Sequence, residues 1–78
     1  MIMGLLYYVK ASDVDFKYCF LEVSRGEAEL PFMEIKISDD KKLSFFIYAE
    51  HLEVSLTSEE WMEIYEKALL FYKKELDN

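Results

Sequence analysis

The stretch from Leu52 to Leu76 (LEVSLTSEEWMEIYEKALLFYKKEL) limits the possible folds more than any other part of the chain. Leu52, Val54 and Leu56 alternate with Glu53 and Ser55, the period of a half-buried extended segment. Thr57 then stands three residues before Glu60, the spacing of a reciprocal capping box. Leu56 and Trp61 are placed to staple across that cap. Trp61, Ile64, Tyr65, Ala68, Leu69, Tyr72 and Leu76 recur at three- and four-residue steps. This predicts an amphipathic helix over about 58–76 with one apolar face. Glu59, Glu60, Glu63 and Glu66 fall in its first half, and Lys67, Lys73 and Lys74 in its second, an order that complements the helix dipole. Glu63 and Lys67 are spaced as a favourable pair. Residues 68–72 (ALLFY) are apolar nearly all round, so Leu70 and Phe71 exceed what one buried face needs and predict cover from a second chain.

A long helix of this kind needs something to lie on, and the preceding residues supply a sheet. The sequence predicts strands at about 4–11, 16–24, 30–37 and 43–49, with a short extended segment at 52–56. Between them lie turns rich in Asp, Ser and Gly: 12–15, 25–27 and 38–42. Pro31 sits near the start of its strand, where a missing N–H is tolerated. Such short connections join antiparallel neighbours rather than parallel crossovers. The expected fold is α+β: one domain over 1–78, an antiparallel meander of four or five strands with one C-terminal helix packed on one face.

Period-two sorting separates two faces. Cys19, Leu21, Val23, Met33, Ile35 and Ile37 form an aliphatic face suited to lie under the helix. Phe16, Tyr18, Phe20 and Glu22 with Phe32, Glu34 and Lys36 fall on the other. The first and fourth strands are apolar on both sides, so their faces are left open by the pattern; Tyr8 with Lys10, and Phe46 with Tyr48, can join this outer face. Monomers seldom expose so large an aromatic patch, so it is expected to be an interface.

Composition bounds the function. A 78-residue chain buries only about 60% of its unfolded surface, so self-association or a partner would add needed stability. The single Cys19 excludes an intramolecular disulfide. The net charge of −7 is concentrated on the helix side, where residues 50–78 hold eight acids and three bases. Nucleic-acid binders are usually basic, so this balance disfavours that role. The run Met1 to Val9 has no basic start and is too short to span a bilayer; a cytoplasmic protein with no membrane partner is expected.

Chemical motifs are few. A hydrolytic triad needs a nucleophile, a base and an orienting group. The only His51 falls at a strand–helix junction, and Cys19 falls in an aliphatic strand face. Asp13 with Asp15, and Asp39 with Asp40, read as turn acids rather than metal ligands. Neither Gly4 nor Gly26 opens a helix, so there is no phosphate loop. No catalytic residue, metal or cofactor is expected, and the chain reads as non-enzymatic.

Val54-Ser55-Leu56-Thr57-Ser58-Glu59-Glu60-Trp61, followed by Ile64, resembles the strand-to-helix junction of the transcriptional positive-coactivator family. Glu34 to Tyr48 (EIKISDDKKLSFFIY) is similar in outline to strands of that family. The resemblance covers about the second half of the chain. It implies a four-stranded sheet plus helix, a homodimer formed largely through the helix, and single-stranded DNA binding by the sheet. That family is basic on its binding strands; here Lys36, Lys41 and Lys42 alone match, beside Asp39 and Asp40.

Two functions follow as expectations. The first is a small acidic protein-interaction module, an inhibitor or adaptor of the kind phages and mobile elements encode. Its acids Glu59, Glu60, Glu63 and Glu66 would meet a basic partner, and it would pair with itself through Leu70, Phe71, Phe16 and Phe32. The second is a homodimer binding single-stranded nucleic acid through Tyr18, Phe20, Lys36, Phe46 and Tyr48.

Overall fold

The computed structural model describes residues 6–26, 30–48 and 54–77. Four strands, β1 (Tyr7–Ala11), β2 (Phe20–Ser24), β3 (Met33–Ile37) and β4 (Leu43–Ile47), precede one helix, α1 (Ser58–Asp77). The sheet is an antiparallel meander in the order β1-β2-β3-β4, with the helix across one face. The α+β meander with one C-terminal helix is therefore the architecture. Among the described residues no helix is long and apolar enough to cross a membrane.

The register explains the core. Leu21 stands opposite Ile35, Val23 opposite Met33, Ile35 opposite Phe45 and Ile37 opposite Leu43. Side chains alternate along a strand, so these residues share one face. Leu21, Val23, Met33, Ile35 and Ile37 are buried there against Ile64, Ala68 and Phe71 of the helix. Each fully buried aliphatic side chain contributes about 1.5–3 kcal/mol relative to exposure.

The helix begins as its spacing demands. The Glu60 N–H donates to Thr57 Oγ1 and the Thr57 N–H donates to Glu60 Oε1, each at 3.0 Å. The buried stripe, however, runs Glu60, Ile64, Ala68, Phe71, while Trp61, Tyr65 and Leu69 lie on a half-exposed flank beside β4. Trp61 packs its ring 5.6 Å from that of Phe45. Phe71 is thus part of the chain's own core and not a free dimer surface; Leu70 stays exposed.

Several boundaries and faces differ from expectation. Residues 16–19 lie outside the sheet, with a bend at 17–18, so β2 starts at Phe20. Residues 54–57 are irregular, and the remainder of the fifth extended segment lies outside the described residues, as do His51 and Gly4. Tyr8 stands opposite Val23 and Lys10 opposite Leu21, which puts both on the helix face and not the outer one. A strand apolar on both sides leaves this choice to its long-range partners. Tyr8 donates its hydroxyl to Glu63 Oε2 at 2.8 Å, and Lys67 lies over its ring at 5.5 Å. Phe32 is only 4% exposed, in the core rather than on the outer face. It precedes β3 and so escapes the strand alternation; its N–H donates to the Val23 carbonyl, and Arg25 lies over its ring.

The turn between β3 and β4 is closed by Ser38, whose N–H donates to the Lys42 carbonyl at 2.9 Å. Lys41 there adopts φ 68°, the left-handed region that glycine fills most easily. The Tyr72 hydroxyl donates to the Lys41 carbonyl at 2.6 Å and ties this turn to the helix.

Candidate binding surface

The outer face of the sheet gathers three rings around one ammonium group. Lys36 Nζ lies 4.7 Å from the ring centre of Phe16, 5.2 Å from Phe46 and 5.8 Å from Phe20. The register accounts for this grouping. Lys36 stands opposite Ser44, so Phe46 is its diagonal neighbour, and the β2–β3 alignment brings Phe20 to its other side. Phe16 comes from the segment before β2 and meets Phe20 edge-on, centroids 5.8 Å apart. The aromatic quadrupoles attract the cation from three directions.

Lys36 is also held by charge. Its ammonium is 3.0 Å from Glu34 Oε1. Glu34 stands directly opposite Glu22, a like-charge juxtaposition that the lysine offsets. Beside the cage opens a recess of about 240 Å³, lined in part by Tyr18, Phe20, Lys36, Ser44 and Phe46. Phe16 and Phe46 keep 45% and 49% of their surface exposed. Lys17 lies over the Tyr18 ring at 5.5 Å. Four of the five residues expected to bind nucleic acid, Tyr18, Phe20, Lys36 and Phe46, therefore line one recess. Tyr48 is not among its lining residues; its N–H donates to the Phe32 carbonyl at the end of β4.

The helix acids divide by task. Glu60 lies on the buried stripe, receives the Arg25 guanidinium and completes the cap, so it is not a free partner-binding acid as the sequence suggested. Arg25 also donates to the Ser55 carbonyl. The guanidinium and the Thr57 N–H hold the Glu60 carboxyl below the usual carboxylate range. Glu75 does the same at the other end of the stripe: it meets Lys10 at 3.0 Å and accepts the Cys19 N–H at 3.2 Å. Its carboxyl is likewise held down, chiefly by Lys10. Sequence patterning missed Glu75, because nothing local marks an acid as a clasp to a distant strand. Burial and the Glu63 carboxylate raise the Tyr8 hydroxyl far above the ordinary tyrosine range. Glu59, Glu63 and Glu66 are exposed.

Cys19 is a half-buried free thiol packed against the core. Asp13 and Asp15 close a tight turn, the Asp15 N–H donating to Asp13 Oδ1 at 2.9 Å. Among the described residues no group of three or more His, Cys, Asp or Glu is placed to hold a metal ion.

No protein-family model, curated protein or solved structure matches the chain.

Proposed function

We propose that this chain is a non-enzymatic protein-interaction module that receives its partner on the outer face of the sheet. The observation that carries this reading is the cage of Phe16, Phe20 and Phe46 around Lys36, open to a recess on an exposed surface. Rings whose positions are fixed by a central cation are pre-organised, so binding to them costs little side-chain entropy. The charge of this face favours a protein over a polyanion. Lys36 is already matched by Glu34, Lys17 is spread over a ring, and Glu22 adds a further carboxylate. Glu59, Glu63 and Glu66, within a net charge of −7, extend a field that draws a basic partner. The partner segment would seat an apolar side chain in the recess with Lys or Arg beside it.

A second reading rests on the same rings. Three aromatic faces with two lysines nearby are also a stacking platform for single-stranded bases. One experiment separates the two. A displayed library of random peptides is panned against the protein in parallel with labelled oligothymidine at low salt. Enrichment of peptides pairing an apolar anchor with Lys or Arg, lost in Phe16→Ala/Phe46→Ala and weakened in Glu59→Lys/Glu63→Lys, supports the module. Absence of enrichment sinks it. Oligothymidine binding that falls steeply with salt would put the second reading in its place.

A further inference from the structure

The two edges of the sheet are not alike. β1 carries Lys10, a charge turned toward the helix side, and such inward charges oppose edge-to-edge pairing. β4 (Leu43-Ser44-Phe45-Phe46-Ile47) carries no charge, no proline and no bulge, and Ile47 is 54% exposed. Among the described residues β4 pairs with β3 alone. Two hydrogen bonds fix which of its backbone groups are spare. The Tyr48 N–H goes to Phe32 and the Lys42 carbonyl receives Ser38, so even-numbered residues face β3. By antiparallel alternation the N–H and C=O groups of Leu43, Phe45 and Ile47 face the open edge.

From these relations we infer that β4 is the joining edge of a two-fold dimer of this chain. The pairing is antiparallel and centred on Phe45, with Leu43 of each copy opposite Ile47 of the other. This register matches every outward donor to an outward acceptor and closes after two chains, giving one eight-stranded sheet.

The helix supplies the rest of the interface. It lies over β2 and β3, so in the joined sheet the two helices stand four strand spacings apart, about 19 Å, leaving a cleft of roughly 9 Å between two cylinders about 10 Å wide. Trp61 and Tyr65, 43% and 47% exposed, point their flank at that cleft with Leu69. Trp and Tyr are the side chains that most often dominate interfaces. Self-complementarity makes a second copy the occupant, because the β4 edge and the Trp61–Tyr65–Leu69 flank are both uncharged and each meets its own like about the two-fold axis. The helix runs opposite to β4, with Trp61 at Phe45 and Tyr72 at Lys41. The two-fold axis therefore sets the helices antiparallel. Each copy thus turns its flank of Trp61, Tyr65 and Leu69 toward the same flank of the other, while Glu63 and Lys67 meet Tyr8 of β1 on the far side of the helix, so the cleft joins apolar surfaces and none of those charges.

Light scattering during size-exclusion chromatography at micromolar concentration tests this on the native chain. The expected mass is twice the chain's 9.3 kDa. Ile47→Lys and Leu69→Lys, both at exposed positions, each shift it to one chain with an unchanged circular dichroism spectrum. Val9→Lys on β1 leaves it doubled. Independently of any variant, native-state hydrogen exchange is expected to show protected amides at Leu43, Phe45 and Ile47. A single-chain mass for the native protein, a dimer that survives both substitutions, or unprotected amides at those three residues would each overturn the inference.

Discussion

The Lys10 ammonium stands 3.0 Å from the Glu75 carboxylate and joins an edge strand to the last turn of the helix. The lysine is half exposed, but the carboxylate is 9% exposed and also accepts the Cys19 N–H. Removing the acid therefore strands a backbone donor as well as a cation. Glu75→Ala is expected to cost about 1–3 kcal/mol. In a chain of this size each kcal/mol lowers Tm by roughly 4–8 °C. Lys10→Met should do less, because water can replace the ammonium. Equal losses from the two changes would count against the clasp.

Glu60 and Glu75 also set the acid limit. Both carboxyls are held below the ordinary glutamate range in the folded chain, Glu60 mainly by Arg25 and Glu75 mainly by Lys10. A depressed folded pKa stabilises the fold above the unfolded pKa, and that contribution disappears as pH falls through the folded one. Urea midpoints are thus expected to hold steady from pH 7 to about 5 and to fall below about 4.5. Glu60→Gln/Glu75→Gln should start lower at pH 7 and lose less on acidification. A parallel curve would exclude these two acids as its cause.

Ile64 is fully buried where the helix crosses β2 and β3. Ile64→Ala is expected to cost about 2–5 kcal/mol through lost burial and a residual cavity. For so small a domain that is much of the total stability. Leu70→Ala, at an exposed position, should cost under about 0.5 kcal/mol. Chemical denaturation of the pair checks the assignment of inner and outer helix faces.

Lys41 holds φ 68° without being glycine. Relief of that left-handed strain is worth about 1–2 kcal/mol, and glycine's greater unfolded freedom takes back about 0.5–1. Lys41→Gly is expected to raise Tm by a few degrees. Its readout is a thermal melt, and a lower Tm would show that the lysine side chain has a stabilising task.

The cage predicts a further asymmetry. Lys36→Ala removes three ring contacts and the Glu34 pair together, and leaves Glu34 facing Glu22 uncompensated. A loss of about 1–2 kcal/mol is expected, from the exposed cation–π contributions together. Lys36→Ala/Glu34→Ala should be less harmful than the single change, a coupling that a double-mutant cycle measures directly.

The sequence by itself determined the elements that depend on neighbours in the chain. The capping box needs Thr57 and Glu60 three positions apart, and β2 and β3 need only their period of two, so helix start, core strands and meander were legible from spacing. The tertiary structure alone decided which face each ambiguous residue takes. Tyr8 and Lys10 turned inward because Glu63 and Glu75 wait there, far away in sequence. Phe71 entered the core while Trp61 and Tyr65 stayed on the flank, because the apolar arc around the helix is wider than the stripe that can rest on the sheet. Glu60 could be read as a free acid until the fold brought Arg25 to it. Phe16, Phe20, Lys36 and Phe46 were legible as outer-face residues, but only strand register and the bend before β2 bring them together as one cage. Periodicity is fixed within about four residues by backbone geometry, whereas the choice between two apolar faces is settled by partners that sequence distance hides.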